Sequence, residues 1–225
     1  MIKFYCLLPG IEKIMPLIPA KEVNFKWIDK AREYYKNGDH SKKTTSCPGI
    51  FSVIHTGWIH RTYMDITVKT FGDGERVETT TQMDQLRATQ QGRFIGEYVE
   101  FHPPYQFEDF RDSPPNSLKT VIKIQTPWFV DIPKGYSLLM MPIPYNDDTR
   151  FTAATGLLKG KNYLNVQLNW HCLNSTEVIK AGTPINQMVL IKDEPDDYEI
   201  EVVKDAESFL IENYPNYSNY LKKQK

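Results

Sequence analysis

The chain has 225 residues, and 27 Lys and Arg against 28 Asp and Glu leave it with a formal net charge of −1. That balance supplies no field to steer the molecule toward nucleic acid or an anionic membrane, which disfavours a large nucleic-acid interface and leaves room only for a local basic patch. Apolar runs such as 136–143 are far shorter than the roughly 20 residues needed to span a bilayer, so no membrane association is expected.

Three cysteines at wide spacing, Cys6, Cys47 and Cys172, fit neither a disulfide framework nor a clustered zinc site, and read as reduced thiols of a cytoplasmic protein. The 13 Tyr, 11 Phe and 15 Pro suit pleated, half-buried surfaces interrupted by fixed turns, which points to a β-rich chain.

Taken in order, residues 1–9 read as a first strand broken by Pro9, without the long apolar region of a secretory signal. Pro16 to Ala20 is an extended link. Asn24 is placed to cap a helix over 25–37, with Trp27, Ile28, Ala31, Tyr34 and Tyr35 in one stripe and Asn37-Gly38 as its stop. A polar loop with His40, Lys42 and Lys43 follows. Ile50 to His55 is expected as a strand ended by Gly57. Residues 63–71 and 76–81, joined by Gly72-Asp73-Gly74, are expected as a hairpin with Met64, Ile66 and Val68 on one face.

Residues 82–117 show no clear period but hold Phe94, Tyr98, Phe101, Tyr105, Phe107 and Phe110, which a solvated linker has little use for. This segment is expected to pack and to offer a binding surface. From Leu118 strands return over 121–124, 128–130, 136–141, 157–158, 163–170 and 185–191. Two matching turns, around Gly135 and Gly182, each place an apolar residue (Ile132, Ile179) three positions before the glycine and then enter a long apolar run, the pattern of a tight turn feeding a buried strand. Past the acidic stretch 193–197, a short strand over 199–203 and a helix over 205–213 are expected, with Tyr214, Tyr217 and Tyr220 in a tail that could contact a protein partner. The whole is expected to form a single domain over 1–225, its tail 205–225 helical or arm-like. The fold class is mainly β: an antiparallel jelly-roll-like sandwich or barrel with one helix near the N-terminus and one near the C-terminus.

For chemistry, the strand over 163–170 is the most informative. Leu164, Val166, Leu168 and Trp170 fall on one face, and Tyr163, Asn165, Gln167, Asn169 and His171 on the other. With Phe101, His102 and Tyr105 this amide-rich face is the candidate ligand-binding surface, reading a small ligand by stacking and amide hydrogen bonds. The rival reading is an exposed sheet face. A metal centre would normally show His-x-His or His-x-Asp, and neither occurs. His55, His60 and His171 are the alternative ligands for a cupin-like enzyme, and convergence of the first two would need a bulge at Gly57. Cys172 beside His171 is the only adjacent Cys-His pair, but strand neighbours point to opposite faces. No phosphate-cradling motif is present. No cofactor is expected.

Pro19-Ala20 with Trp27, Cys47-Pro48, Gly57-Trp58, Thr126-Pro127-Trp128, Pro133-Lys134-Gly135-Tyr136-Ser137 and Gly182-Thr183-Pro184 with Gln187 resemble the successive landmarks of an uncharacterised protein family of T4-like tailed phages, marine cyanobacterial phages and environmental sequences. The resemblance spans residues 1 to about 192 and departs after Gly57-Trp58, where Ile59-His60-Arg61 replaces a Pro-containing step. It implies no activity. The reading is a phage-type accessory protein, in the host cytoplasm or the virion, acting by binding and forming a homo-oligomer. A metal-dependent enzyme is the first alternative, and nucleic-acid binding through the Lys-rich 40–43 loop and C-terminus the second.

Overall fold

The computed structural model describes residues 1–37, 48–82, 97–106, 112–193 and 211–212. Contacts divide the chain into two compact units, 1–193 and 194–225, where the sequence reads as one domain. In the second unit only residues 211–212 are described, and they are helical. The expected strand over 199–203 and the tyrosine tail therefore lie outside the described residues, as does the 40–43 loop.

The first unit is built from antiparallel strands: β1 (Lys3–Cys6), β2 (Ile18–Pro19), β3 (Trp58–Arg61), β4 (Ile66–Thr70), β5 (Val77–Thr81), β6 (Val99–His102), β7 (Val121–Ile124), β8 (Trp128–Asp131), β9 (Tyr136–Met141), β10 (Phe151–Ala153), β11 (Gly156–Leu158), β12 (Lys161–Tyr163), β13 (Val166–Trp170), β14 (Thr176–Ile179) and β15 (Pro184–Lys192). Helices α1 (Ile11–Ile14), α2 (Lys26–Lys36) and α3 (Pro48–Ile54) accompany them. The strands form four open sheets, ordered β1-β8-β12, β10-β13-β7-β6, β11-β9-β15-β3-β2 and β14-β4-β5. The fold is mainly β and sandwich-like, and no sheet closes into a barrel.

Alternation decides which face each strand buries. Leu164, Val166, Leu168 and Trp170 are all buried, as their spacing requires, and join Ile66, Val68, Ile122, Ile124, Val130, Leu138 and Met188 in the main core between sheets. The five-stranded sheet has a second apolar layer on its other face, where Ile59 of β3 meets Ala20, Phe25 and Ile28 near α2 and Ile54 of α3. The predicted stripe of α2 faces this layer through Ile28 and Trp27. Its first amide, that of Lys26, is received by the Asp147 carboxylate at 2.8 Å rather than by Asn24, whose amide reaches Asp29 instead.

Residues 50–54 of the stretch 50–55, expected as a strand, are helical, and His55 begins a turn. Pro48 opens the helix, where its fixed φ and missing N–H are tolerated, and a short apolar run such as Ile50-Phe51-Ser52-Val53-Ile54 suits a strand or a helix equally. The helix ends at Ile54, and Gly57, in the turn that leads to β3, has a left-handed φ of +78° and a Cα that lies against β15: a Cβ there would collide with the Met188 carbonyl oxygen. The amide of Gln187, on β15, donates to the Val53 and Thr56 carbonyls at 2.6 Å each, satisfying carbonyls at the helix C-terminus.

The expected hairpin forms between β4 and β5, with Thr70 opposite Val77, and Asp73 accepts the Glu75 and Arg76 amides inside its turn. Gly135 and Gly182 both have positive φ, and Tyr136 N–H to Pro133 C=O and Thr183 N–H to Lys180 C=O close the two matching turns. Buried Ile132 and Ile179 precede them. The short strands β3, β6, β10 and β14 carry no sequence signal strong enough to be read.

Candidate functional site

The loop between β7 and β8, the end of β12 and the start of β13 meet the chain on either side of the hairpin at a cleft of about 410 Å³. Tyr163 and Asn165 from the predicted amide face line it, together with Tyr63, Tyr98, Gln125 and Thr126, which sequence spacing does not connect to them. Leu7, Leu8 and Pro127 supply apolar wall, and Glu97 and Lys123 are the charged groups at its border.

Each side chain is placed for a local reason. Asn165 sits between two strands, and its Oδ1 accepts the Thr126 amide at 3.4 Å. The Thr126 hydroxyl donates to the Leu164 carbonyl at 2.8 Å, so Asn165 is fixed from both sides of the loop and its Nδ2 is the donor it can offer a ligand. Tyr63 and Tyr98 pack with tilted rings, centroids 4.4 Å apart, and the Tyr63 amide donates to the Tyr98 hydroxyl at 3.4 Å. Burial, followed by neighbouring Cys6, pushes the Tyr63 phenol up to about 12, and burial raises Tyr98 further, so both remain protonated hydroxyls. Glu100 on β6 joins Lys123 at 2.9 Å and also accepts a hydrogen bond from the Gln125 amide. This pairing neutralises Lys123 beside the cleft. The arrangement is a half-apolar recess with phenol and carboxamide groups at its rim, suited to a planar ligand with hydrogen-bonding edges.

The other predicted residues are dispersed. Gln167 lines a smaller cleft of about 210 Å³ with Met140 and Gly156, into which Asn165 and Lys123 also reach. Asn169 is buried on β13 opposite Thr152. His171 lines a separate cleft of about 290 Å³ with Asp148, Thr152 and Ile185, its Nε2 2.7 Å from the Thr152 hydroxyl and its Nδ1 3.4 Å from the Asn116 carbonyl. Phe101 is partly exposed in a groove with Phe71 and Arg76, Tyr105 is 72% exposed, and His102 Nδ1 lies 2.6 Å from Gln106 Oε1. The aromatic excursion thus packs through Tyr98 but leaves outward Phe101, on the edge strand β6, and Tyr105, in the helical turn 104–106 that follows it. Phe94, Phe107 and Phe110 lie outside the described residues.

The three alternative metal ligands do not converge. His55 lies just beyond α3 and stacks on Phe51, His60 is enclosed in β3, and His171 follows β13 in another sheet. Among the described residues no group of three or more His, Cys, Asp or Glu side chains comes together to hold a metal. Nor is Cys172 set up as a nucleophile, since His171 is engaged by Thr152 and Asn116, and burial raises the Cys172 thiol.

His60 has its own peculiarity. It is 1% exposed and opposite Asn186 of β15, which is equally enclosed. Neither ring nitrogen of His60, and neither polar atom of the Asn186 amide, has a hydrogen-bond partner. Burial alone holds the imidazole down at about 3 and therefore neutral.

Among the described residues no helix is long and apolar enough to cross a membrane. No family model matches the chain, and no curated protein does. Among solved structures it is similar to a mutant of the dUTPase of Staphylococcus bacteriophage 80alpha with dUpNHpp, at 11% identity over 91% of this chain and 90% of that one, with a TM-score of 0.34. It is also similar to a mutant dUTPase from phage phi11 of S. aureus, at 13% identity over 62% of this chain and 99% of that one, with a TM-score of 0.31.

Proposed function

We propose that this chain acts by binding, with the cleft around Tyr163 and Asn165 taking a small planar ligand that carries hydrogen-bond donors and acceptors on its edge. The supporting observation is the convergence in one recess of Tyr63, Tyr98 and Tyr163 with the carboxamides of Asn165 and Gln125, drawn from four separate parts of the chain. The recess falls within the roughly 300–1,000 Å³ usual for ligand sites. With Lys123 neutralised by Glu100, the ligand is neutral at the end that enters. The resemblance of the landmark turns to a phage family favours an accessory role in a phage-type system, and the exposed rings of Phe101, Tyr105 and Tyr136 favour a homo-oligomer.

Saturation-transfer NMR against a set of neutral heterocycles and nucleosides tests the reading. The expected result is a group of planar ligands whose signal is lost in Asn165→Ala and Tyr163→Ala and kept in Tyr105→Ala, which lies outside the cleft. Ligands that bind equally well to the Asn165 and Tyr163 variants would overturn it.

A further inference from the structure

The sheet β1-β8-β12 has a core side, where Phe4 packs edge-on against Trp58, and an outward side of unusual composition. Register places Tyr5 opposite Phe129, and Phe129 opposite Tyr163, so three aromatic rings form one row across three strands. Adjacent ring centroids are 6.5 and 5.2 Å apart, and the two end residues, Tyr5 and Tyr163, are 45% and 61% exposed. The neighbouring row is Lys3, Asp131 and Lys161. Asp131 lies between the lysines in register, yet neither lysine takes part in an ion pair among the described residues.

We propose that this face is a platform for two or three nucleotides of single-stranded nucleic acid. The proposal goes beyond the cleft reading and shares only Tyr163 with it. Exposed rings in a row offer stacking surface that any base can use, and cations set beside such a row are what a phosphate backbone requires. Two strand spacings separate Lys3 from Lys161, about 10 Å, which puts the two cations at either end of the aromatic row rather than at one point. A second copy fits less well. A dimer closed about the line of β8 would set the lysines of one copy against those of the other. The small number of cations also agrees with a chain of net charge −1, because this is a short platform and not an electrostatic track.

The probe is a fluorescein-labelled hexathymidylate, followed by anisotropy with the full chain. Two phosphate contacts on a single strand predict a log–log salt slope of about −1.4, which is roughly a 25-fold loss of affinity between 20 and 200 mM salt. Tyr5→Ala should weaken binding by about fivefold or more, the effect of one lost stack, and Lys3→Gln should flatten the slope by about 0.7. Tyr5 and Lys3 are exposed, so both variants should melt like the parent, and Tyr5→Phe should restore binding. No anisotropy change at 20 mM salt overturns the proposal. So does binding that Tyr5→Ala and Lys3→Gln leave intact, which would move the site elsewhere, and so does a sedimenting dimer that Tyr5→Ala dissolves. Asn165→Ala separates this proposal from the cleft reading: if free nucleosides ignore that variant while the oligonucleotide still depends on Tyr5 and Lys3, the cleft reading fails and the platform stands.

Discussion

Acidification should destabilise the first unit through His60, and the size of the effect can be worked out. In the folded chain the imidazole is enclosed, without any hydrogen-bond partner, and held at about 3; in the unfolded chain it returns to the ordinary value of 6.5. A depressed folded value means that the unfolded state binds the extra proton, so this contribution is intact above pH 6.5 and is lost as the pH falls toward 3. At pH 5 the unfolded chain holds nearly one proton more than the folded chain, a loss of about 2 kcal/mol relative to pH 7.5. Other groups titrate as well, so the test is a difference. Urea midpoints of the parent and of His60→Leu should be compared at pH 7.5 and 5.0, and the variant should lose about 2 kcal/mol less. Its stability at pH 7.5 should change little, because the substitution removes two orphaned polar atoms from the core along with the ring. If parent and variant lose the same stability between the two pH values, His60 is solvated or paired in solution and the reasoning fails.

Gly57→Ala should cost roughly 3 kcal/mol or more, since the new Cβ collides with a backbone oxygen, whereas Gly135→Ala, with nothing within 4 Å of its Cβ, should cost only about 1–2 kcal/mol for its left-handed φ. Thermal melts of the two variants should separate accordingly. Trp170→Ala removes the largest fully buried side chain and should cost about 3–5 kcal/mol in denaturant titration. Alkaline titration at 295 nm should show Tyr63 ionising near 12, later than an ordinary phenol, and Tyr63→Phe should remove one late-titrating group. Because the raised value disfavours the phenolate in the folded chain, this residue makes the fold lose stability above about pH 10.

Period-two alternation placed Leu164, Val166, Leu168 and Trp170 in the core, but the expected strand over 163–170 is two strands of different sheets, β12 ending at Tyr163 and β13 starting at Val166, and Asn169 of the amide face is buried. The glycine turns were plain, because positive φ and a following apolar run leave few alternatives. Helix α3 was not legible, since five apolar or small residues in a row carry no period, and its decisive contact is with Gln187 far along the chain. The cleft was half legible for the same reason: alternation pairs Tyr163 at the end of β12 with Asn165 just before β13, but their meeting with Tyr63, Tyr98 and Gln125 depends on how separate sheets come together. Parity likewise says that His60 and its neighbours alternate, and nothing about whether a partner waits on the buried side.

The bond from Gln187 to α3 also orders events in time. Helix α3 leaves the ribosome more than a hundred residues before the side chain that satisfies the carbonyls of Val53 and Thr56, and Gly57 waits equally long for the Met188 backbone that covers it. A seven-residue helix is too short to persist alone in water. The N-terminal quarter of the chain must therefore stay unfinished during synthesis until β15 emerges to pair with β3 and cap α3, and a nascent chain stalled before residue 187 is the form most in need of chaperone protection.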